Sequence, residues 1–262
     1  MFQHYRSQGF ILKRTDRGEA DRIFTIYTKD FGKLEILAKA ERKIKSKLKG
    51  GLKPFYLSEV EFIQGKTHKT LTDAILIENF SILRKDLERL PIAYRISEVL
   101  DNLIKGQEAD EKIWNLLNET FQKLNNQQLT INNQQLLYYY FLWNLLFILG
   151  YQPELYNCSL CQKKLLPEKL YLNRKERGII CQSCFKKLKL VEEDKSSSSP
   201  ARVTAKGGKE IDSETVKILR IILEKNWPIL SKLKIEVKYL KGLALFSKSF
   251  LSFICEENLS HS

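Results

Sequence analysis

The chain is predicted to be an α+β protein. A small barrel of five strands comes first, and a mainly α-helical domain with a cysteine-bearing insert follows. Three observations predict this. The first eighty residues hold five short runs rich in β-branched and aromatic residues. From Ser81 the apolar residues recur at helical spacing. Four of the five cysteines fall in two Cys-x-x-Cys pairs within one short segment. At 262 residues the chain can bury a substantial core, and its length suits two domains with a small third module. A hydrophobic fraction of 43% is ordinary for a globular protein and excludes disorder for most of the chain.

The first run, GFILKRT, is apolar and ends in charge. TDRGEAD follows and supplies Gly18 and acids for a hairpin turn. DRIFTIYT, Asp21 to Thr28, alternates as a half-buried strand does. KLEILAKA is the third run. A long basic connection then leads to YLSEVEFIQ, the turn GKTH and the fifth run, KTLTDAILIENF. Five strands with one long connection between the third and fourth match an OB-fold, a partly open Greek-key barrel. An SH3-like barrel is the rival.

PIAYRISEVLDNLIK places Ile92, Ile96, Val99, Leu100 and Leu103 on one face, with Pro91 suited to a helix start. EKIWNLLNETFQKL does the same with Ile113, Leu117, Phe121 and Leu124. NNQQLTINNQQ is a linker or a helix entry and is assigned no function. Leu136 to Gly150 is uncharged but shorter than the roughly 20 residues that span a bilayer. Asn144 interrupts it, so it reads as a helix buried on nearly all sides. The insert covers about 151–190, and the polar DKSSSSPAR after it is a loop. IDSETVKILRIILEKN resumes helical spacing, and KIEVKYLKGLALFSKSFLSFIC supplies one or two last helices. The expected domains are 1–80 for the barrel and 81–262 for the helical part, with helices on both sides of the insert packing together. The N-terminal MFQHYRSQGF has no apolar signal region, so a cytoplasmic protein with no membrane partner is expected.

Cys158-x-x-Cys161 and Cys181-x-x-Cys184, nineteen residues apart, have the spacing of a four-thiolate zinc site. Two residues between cysteines let one turn present both sulfurs, and two such turns complete a tetrahedron. All four positions are then taken by protein, so one Zn²⁺ would be structural rather than catalytic. Gln162 and Gln182 stand where small turn residues often ease such turns. A redox Cys-x-x-Cys would need a βαβ unit, and none is visible.

The chain has 44 basic and 31 acidic residues, a net charge of +13. The excess is local. Lys39 to Pro54, KAERKIKSKLKGGLKP, carries seven basic residues against the single acid Glu41. Lys163 to Lys195 carries ten against five, and two of those charges would be offset by a metal-loaded thiolate centre. A charge run is ordinarily a solvated face. Here Lys43, Lys45, Lys47 and Lys49 alternate as an extended segment would align them, and Gly50-Gly51 and Pro54 mark a loop free to adapt. The run joins strands of a barrel type that often binds single strands through a basic groove. It therefore reads as a polyanion contact.

Catalysis finds no support. His4, His68 and His261 suggest no triad, and no His-x-Glu accompanies the cysteines as a deaminase would need. Gly65-Lys66-Thr67 lacks the earlier glycine of a phosphate loop, since Val60 stands there. Asp16, Glu19 and Asp21 read as solvated turn acids.

GEADRIFTIYT, the DFGKL turn, the Ser46–Pro54 connection, LTDAILIENF, LLFILGYQPELYNCSLC and SKSFL together resemble the bacterial RecO recombination mediators along most of the chain. Two departures concern the cysteine turns. Arg177-Gly178-Ile179 stands where that family often has paired glycines, and Gln162 stands where it has glycine. The resemblance implies an OB-fold, a helical domain with a zinc insert, and no catalytic residues. It implies binding of single- and double-stranded DNA, strand annealing, and help in loading the recombinase, with RecR and the single-strand binding protein as partners. On that reading Lys39, Arg42, Lys43, Lys45, Lys47, Lys49 and Lys53 contact phosphates, with Arg14, Arg17 and Arg22 as weaker candidates on the first hairpin. Phe24 and Tyr27 lie on opposite faces of one strand, so at most one can stack on a base, and core is the better reading for either. Two rival readings are a protein-interaction adaptor with incidental nucleic-acid binding and a zinc enzyme.

Overall fold

The computed structural model describes residues 3–173, 178–193 and 209–260. The DKSSSSPAR segment therefore lies outside the described residues. The chain forms two compact units, Met1–Leu145 and Leu146–Ser262.

In the first unit, β1 (His4–Arg17), β2 (Asp21–Thr28), β3 (Gly32–Ala38), β4 (Leu57–Gln64) and β5 (Lys69–Glu78) close a barrel in the order β1-β2-β3-β5-β4. Four pairings are antiparallel, and β3 meets β5 in parallel at Ile36↔Lys69 and Leu37↔Thr70. This is the expected OB arrangement. Alternation explains the core: Ile11, Phe24, Ile26, Leu34, Ile36, Val60 and Phe62 turn inward and are buried. β1 begins five residues before GFILKRT. The polar HYRSQ has no apolar alternation, but it pairs with β4 from His4↔Ile63 to Phe10↔Leu57. His4 and Arg6 reach Glu61 and Glu59 across that pairing.

The outer face of β1 and β2 is covered by helices α1 (Ser81–Lys85), α2 (Arg89–Leu103) and α3 (Glu111–Leu124). Phe10 packs against Phe80, Trp114 and Phe121 with ring centroids 5.2–6.0 Å apart. Asp110 caps α3 by accepting from the N–H groups of Lys112 and Ile113 at 2.7 and 3.1 Å. α2 starts two residues before Pro91, whose missing N–H still falls among those a helix start leaves unpaired. α4 (Ile131–Ile148) takes Asn132 to Gln135 into its first turns and is buried at every position from Leu136 to Leu146. No helix among the described residues is long and apolar enough to cross a membrane.

The second unit holds a three-stranded sheet, β6 (Leu170–Asn173), β7 (Gly178–Cys181) and β8 (Lys209–Ile211), in the order β7-β6-β8. Around it stand α5 (Gln182–Glu193), α6 (Ser213–Leu223), α7 (Trp227–Leu230) and the single long α8 (Val237–Ser260). The sheet is absent from the sequence reading, because its strands are only three or four residues long. Gly242 lets α8 approach α6 closely: a Cβ there would sit 2.7 Å from the Thr215 hydroxyl.

Candidate nucleic-acid interface and cysteine centre

The basic run is a folded turn, not an extended arm. Lys39 to Lys45 form turns, Lys47–Gly50 is a 3-10 turn, and Leu48 and Leu52 drop into the barrel core. The expected alignment of Lys43, Lys45, Lys47 and Lys49 on one edge is therefore incorrect. Two leucines need burial, and a 3-10 turn rotates successive residues about its axis to achieve it. Lys39, Lys43, Lys45, Lys47 and Lys53 are exposed, and Lys49 is half-buried. Ile44, among them, is 95% exposed.

The turn is fastened to the β1–β2 hairpin. Glu41, its one acid, is 2% exposed and accepts from Arg22 Nη1 at 2.9 Å. Arg22 Nε also donates to Asp16 Oδ1 at 2.7 Å. Arg42 donates to the Gly18 carbonyl at 3.2 Å and lies 3.6 Å from Asp16. The Arg42 N–H reaches the Ala20 carbonyl, and the Ala40 N–H reaches Asp21 Oδ1. The hydrogen bond from Arg22 holds the Asp16 carboxyl below its ordinary range, and Asp16 in turn raises Arg22. Two of the predicted cations, Arg22 and Arg42, thus spend their guanidinium groups on the protein. Asp16 is exposed, as a solvated turn acid should be, and is at the same time a partner in this clamp; Asp21 is half-buried in it.

Arg14 is exposed beside a cavity of about 520 Å³ lined by Tyr94, Ser97 and Asp101, and Arg17 reaches His68 at 3.3 Å. Phe24 and Tyr27 are both fully buried, Phe24 in the barrel and Tyr27 under the helices with its hydroxyl 3.4 Å from the Asp110 carbonyl. Neither is available to a base. Sequence reasoning missed Arg84, whose guanidinium stands 4.4 Å from the Tyr56 ring while Lys53 stands 5.9 Å from it. No local pattern connects residues on two different elements.

In the second unit the four predicted cysteines converge. The sulfurs of Cys158, Cys161, Cys181 and Cys184 all lie within 4.8 Å of one another, and Cys161 Sγ is 3.9 Å from Cys181 Sγ. Four sulfurs about 2.3 Å from one tetrahedral ion stand roughly 3.8 Å apart, so the spacing suits a single ion. The first pair sits in a turn closed by Cys158 N–H to the Lys163 carbonyl and Gln162 N–H to the Cys158 carbonyl, both 2.8 Å. Gln162 adopts φ 59°, the left-handed conformation that glycine would take more easily. The second pair spans the end of β7 and the first turn of α5. Gly178 allows close packing behind this site, because a Cβ there would meet Ser159 Cβ at 3.0 Å and Glu154 Cβ at 3.3 Å.

Burial pushes the Cys158 thiol up, but the N–H groups of Cys161, Cys181 and Leu160 outweigh it and bring it down to about 7. Burial raises Cys181 and Cys184, and the neighbouring thiols raise Cys184 further. Four thiols this close cannot all ionise without a cation between them, so the donor set fits a thiophilic metal ion.

Comparison with known proteins covers both units. The family model "Recombination protein O N terminal" matches residues 1–80, and "Recombination protein O C terminal" matches residues 84–261. A protein of Dehalococcoides mccartyi named "DNA repair protein RecO" is 32% identical over 253 residues, covering 97% of this chain and 91% of that protein. Proteins of the same name from Desulforamulus reducens and Moorella thermoacetica are each 26% identical over 97% of this chain, covering 91% and 88% of their own lengths.

Proposed function

The chain belongs to the RecO family of DNA repair proteins, and from that membership we propose that it is a non-enzymatic recombination mediator. It binds single- and double-stranded DNA without sequence preference, anneals complementary strands and assists recombinase loading on coated single strands. RecR and the single-strand binding protein are its partners, and its place is the bacterial cytoplasm, at the nucleoid. The proposal keeps the expected domains, a barrel over 1–80 and a helical part over 81–262.

The observation that carries this reading is the clamped basic turn on the barrel. It offers several exposed ammonium groups at fixed positions, with Lys43 and Lys45 lining an open cavity of about 540 Å³. Such groups neutralise phosphates, release counterions and lower the repulsion between two strands. We assign phosphate contact to Lys39, Lys43, Lys45, Lys47, Lys49 and Lys53, with Arg14 and Arg17 at the margin. Arg22 and Arg42 act through the turn by holding it. The cysteine quartet holds one Zn²⁺, which when bound cross-links the two cysteine turns. Protein fills every coordination position, which supports a structural role.

Replacing Lys43, Lys45 and Lys47 together by alanine tests the site. The slope of log affinity against log salt for single strands should flatten by about two. An unchanged slope removes the turn from the interface.

The adaptor reading draws on one observation. Ile75, Leu76 and Ile77 of β5 are each about half exposed in a row. If it is correct, the triple lysine variant loses DNA affinity yet restores repair fully in a deficient strain.

A further inference from the structure

The cysteine centre brings a second set of cations together. Lys163 and Lys164 follow Cys161 by two and three residues, and Lys186 and Lys187 follow Cys184 by the same spacing. The sulfurs they follow lie within 4.8 Å of one another. Two lysine pairs from opposite ends of the insert are thereby anchored within three residues of one point. All four lysines are exposed, and none pairs with a carboxylate among the described residues. The nearby Lys169, by contrast, lies 3.7 Å from Glu210. Neutralising the centre does not account for them. A tetrathiolate with a divalent ion carries two negative charges, and four lysines exceed that.

We infer that these lysines of the cysteine module form a second, separate binding surface for the phosphates of a nucleic-acid strand. The inference rests on the reading that the protein binds DNA and goes beyond it by assigning one strand to each unit. Exposed lysines suit a backbone contacted without regard to sequence. Annealing needs two strands held by one molecule, and two surfaces supply that. The metal ion would have a part beyond stability, because it brings the two lysine pairs to one place.

The test uses the full chain and a DNA oligomer short enough to fill one surface. At low salt the wild type should bind two oligomers per chain, counted by native mass spectrometry. The Lys163/Lys164/Lys186/Lys187→Ala variant should bind one and lose annealing, and the four-fold Lys→Arg variant should recover both. If the alanine variant fails to retain metal, the Lys163/Lys164→Ala and Lys186/Lys187→Ala pairs carry the test. Each should flatten the single-strand salt slope by about 1.4. Two bound oligomers and full annealing in metal-replete alanine variants would overturn the inference. The Lys43/Lys45/Lys47→Ala variant separates the two claims. If it alone loses an oligomer, the barrel site stands and the second surface fails. If it loses none while the module variant does, the reverse holds. If neither loses any, both fail.

Discussion

Gly50 and Gly51 stand side by side in the basic turn and differ in what they allow. A Cβ on Gly50 would meet nothing within 4 Å, whereas one on Gly51 would lie 2.4 Å from the Ala74 carbonyl oxygen. Gly50→Ala should therefore leave the melting temperature unchanged. Gly51→Ala should cost about 1–3 kcal/mol by forcing the turn off β5, read by denaturant unfolding. Arg22 offers a second contrast. As a phosphate contact, its loss would change mainly the salt slope. As the partner of a buried Glu41, its replacement by alanine strands a carboxylate and should cost about 3 kcal/mol, read as a lowered urea midpoint. Its hydrogen bond also sets a pH dependence. Asp16 titrates below its ordinary 3.8 in the folded protein, so its contribution is complete above that value. It is lost only as the pH falls through the lower folded value. An NMR titration of the Asp16 carboxyl carbon should give a midpoint below 3.8 that returns toward it in Arg22→Ala.

Among the helices, the join after α3 depends on one side chain. Arg89, 5% exposed, donates to the carbonyls of Leu124 and Asn126 at 2.9 and 2.6 Å and pairs with Asp86 at 2.8 Å. It thus satisfies the unpaired end of α3 from within α2. Arg89→Leu should destabilise the first unit by about 3 kcal/mol, seen as a lowered melting temperature. The helical periodicity of EKIWNLLNETFQKL found α3 to the residue, and alternation found β2 to the residue. The short β6, β7 and β8 went unseen, since strands of three or four residues carry too little period to register. A 3-10 turn inside a lysine run was hidden for a similar reason: its two anchoring leucines are outnumbered by charges.

For the whole molecule, the division into two compact units sets what metal removal can reach. The quartet lies wholly in Leu146–Ser262. A chelator strong enough to strip the ion should expose residues 151–193 to protease and to amide exchange. The barrel strands should keep their protection, since their core is built without the quartet. Simultaneous loss of protection in both units would show that they unfold together.

Local pattern was enough for the five strands, for the helices α2, α3, α4, α6 and α8 and for the cysteine quartet, because alternation, helical spacing and Cys-x-x-Cys are each written within a few consecutive residues. The division of labour among the cations was not readable in the same way. Lys43 and Arg42 are neighbours in a single basic run, yet one is free and the other is tied to Gly18 and Asp16. That difference comes from a hairpin some twenty residues earlier meeting the turn in space. Pairing across such a distance depends on how the barrel closes, and no local run of residues records it.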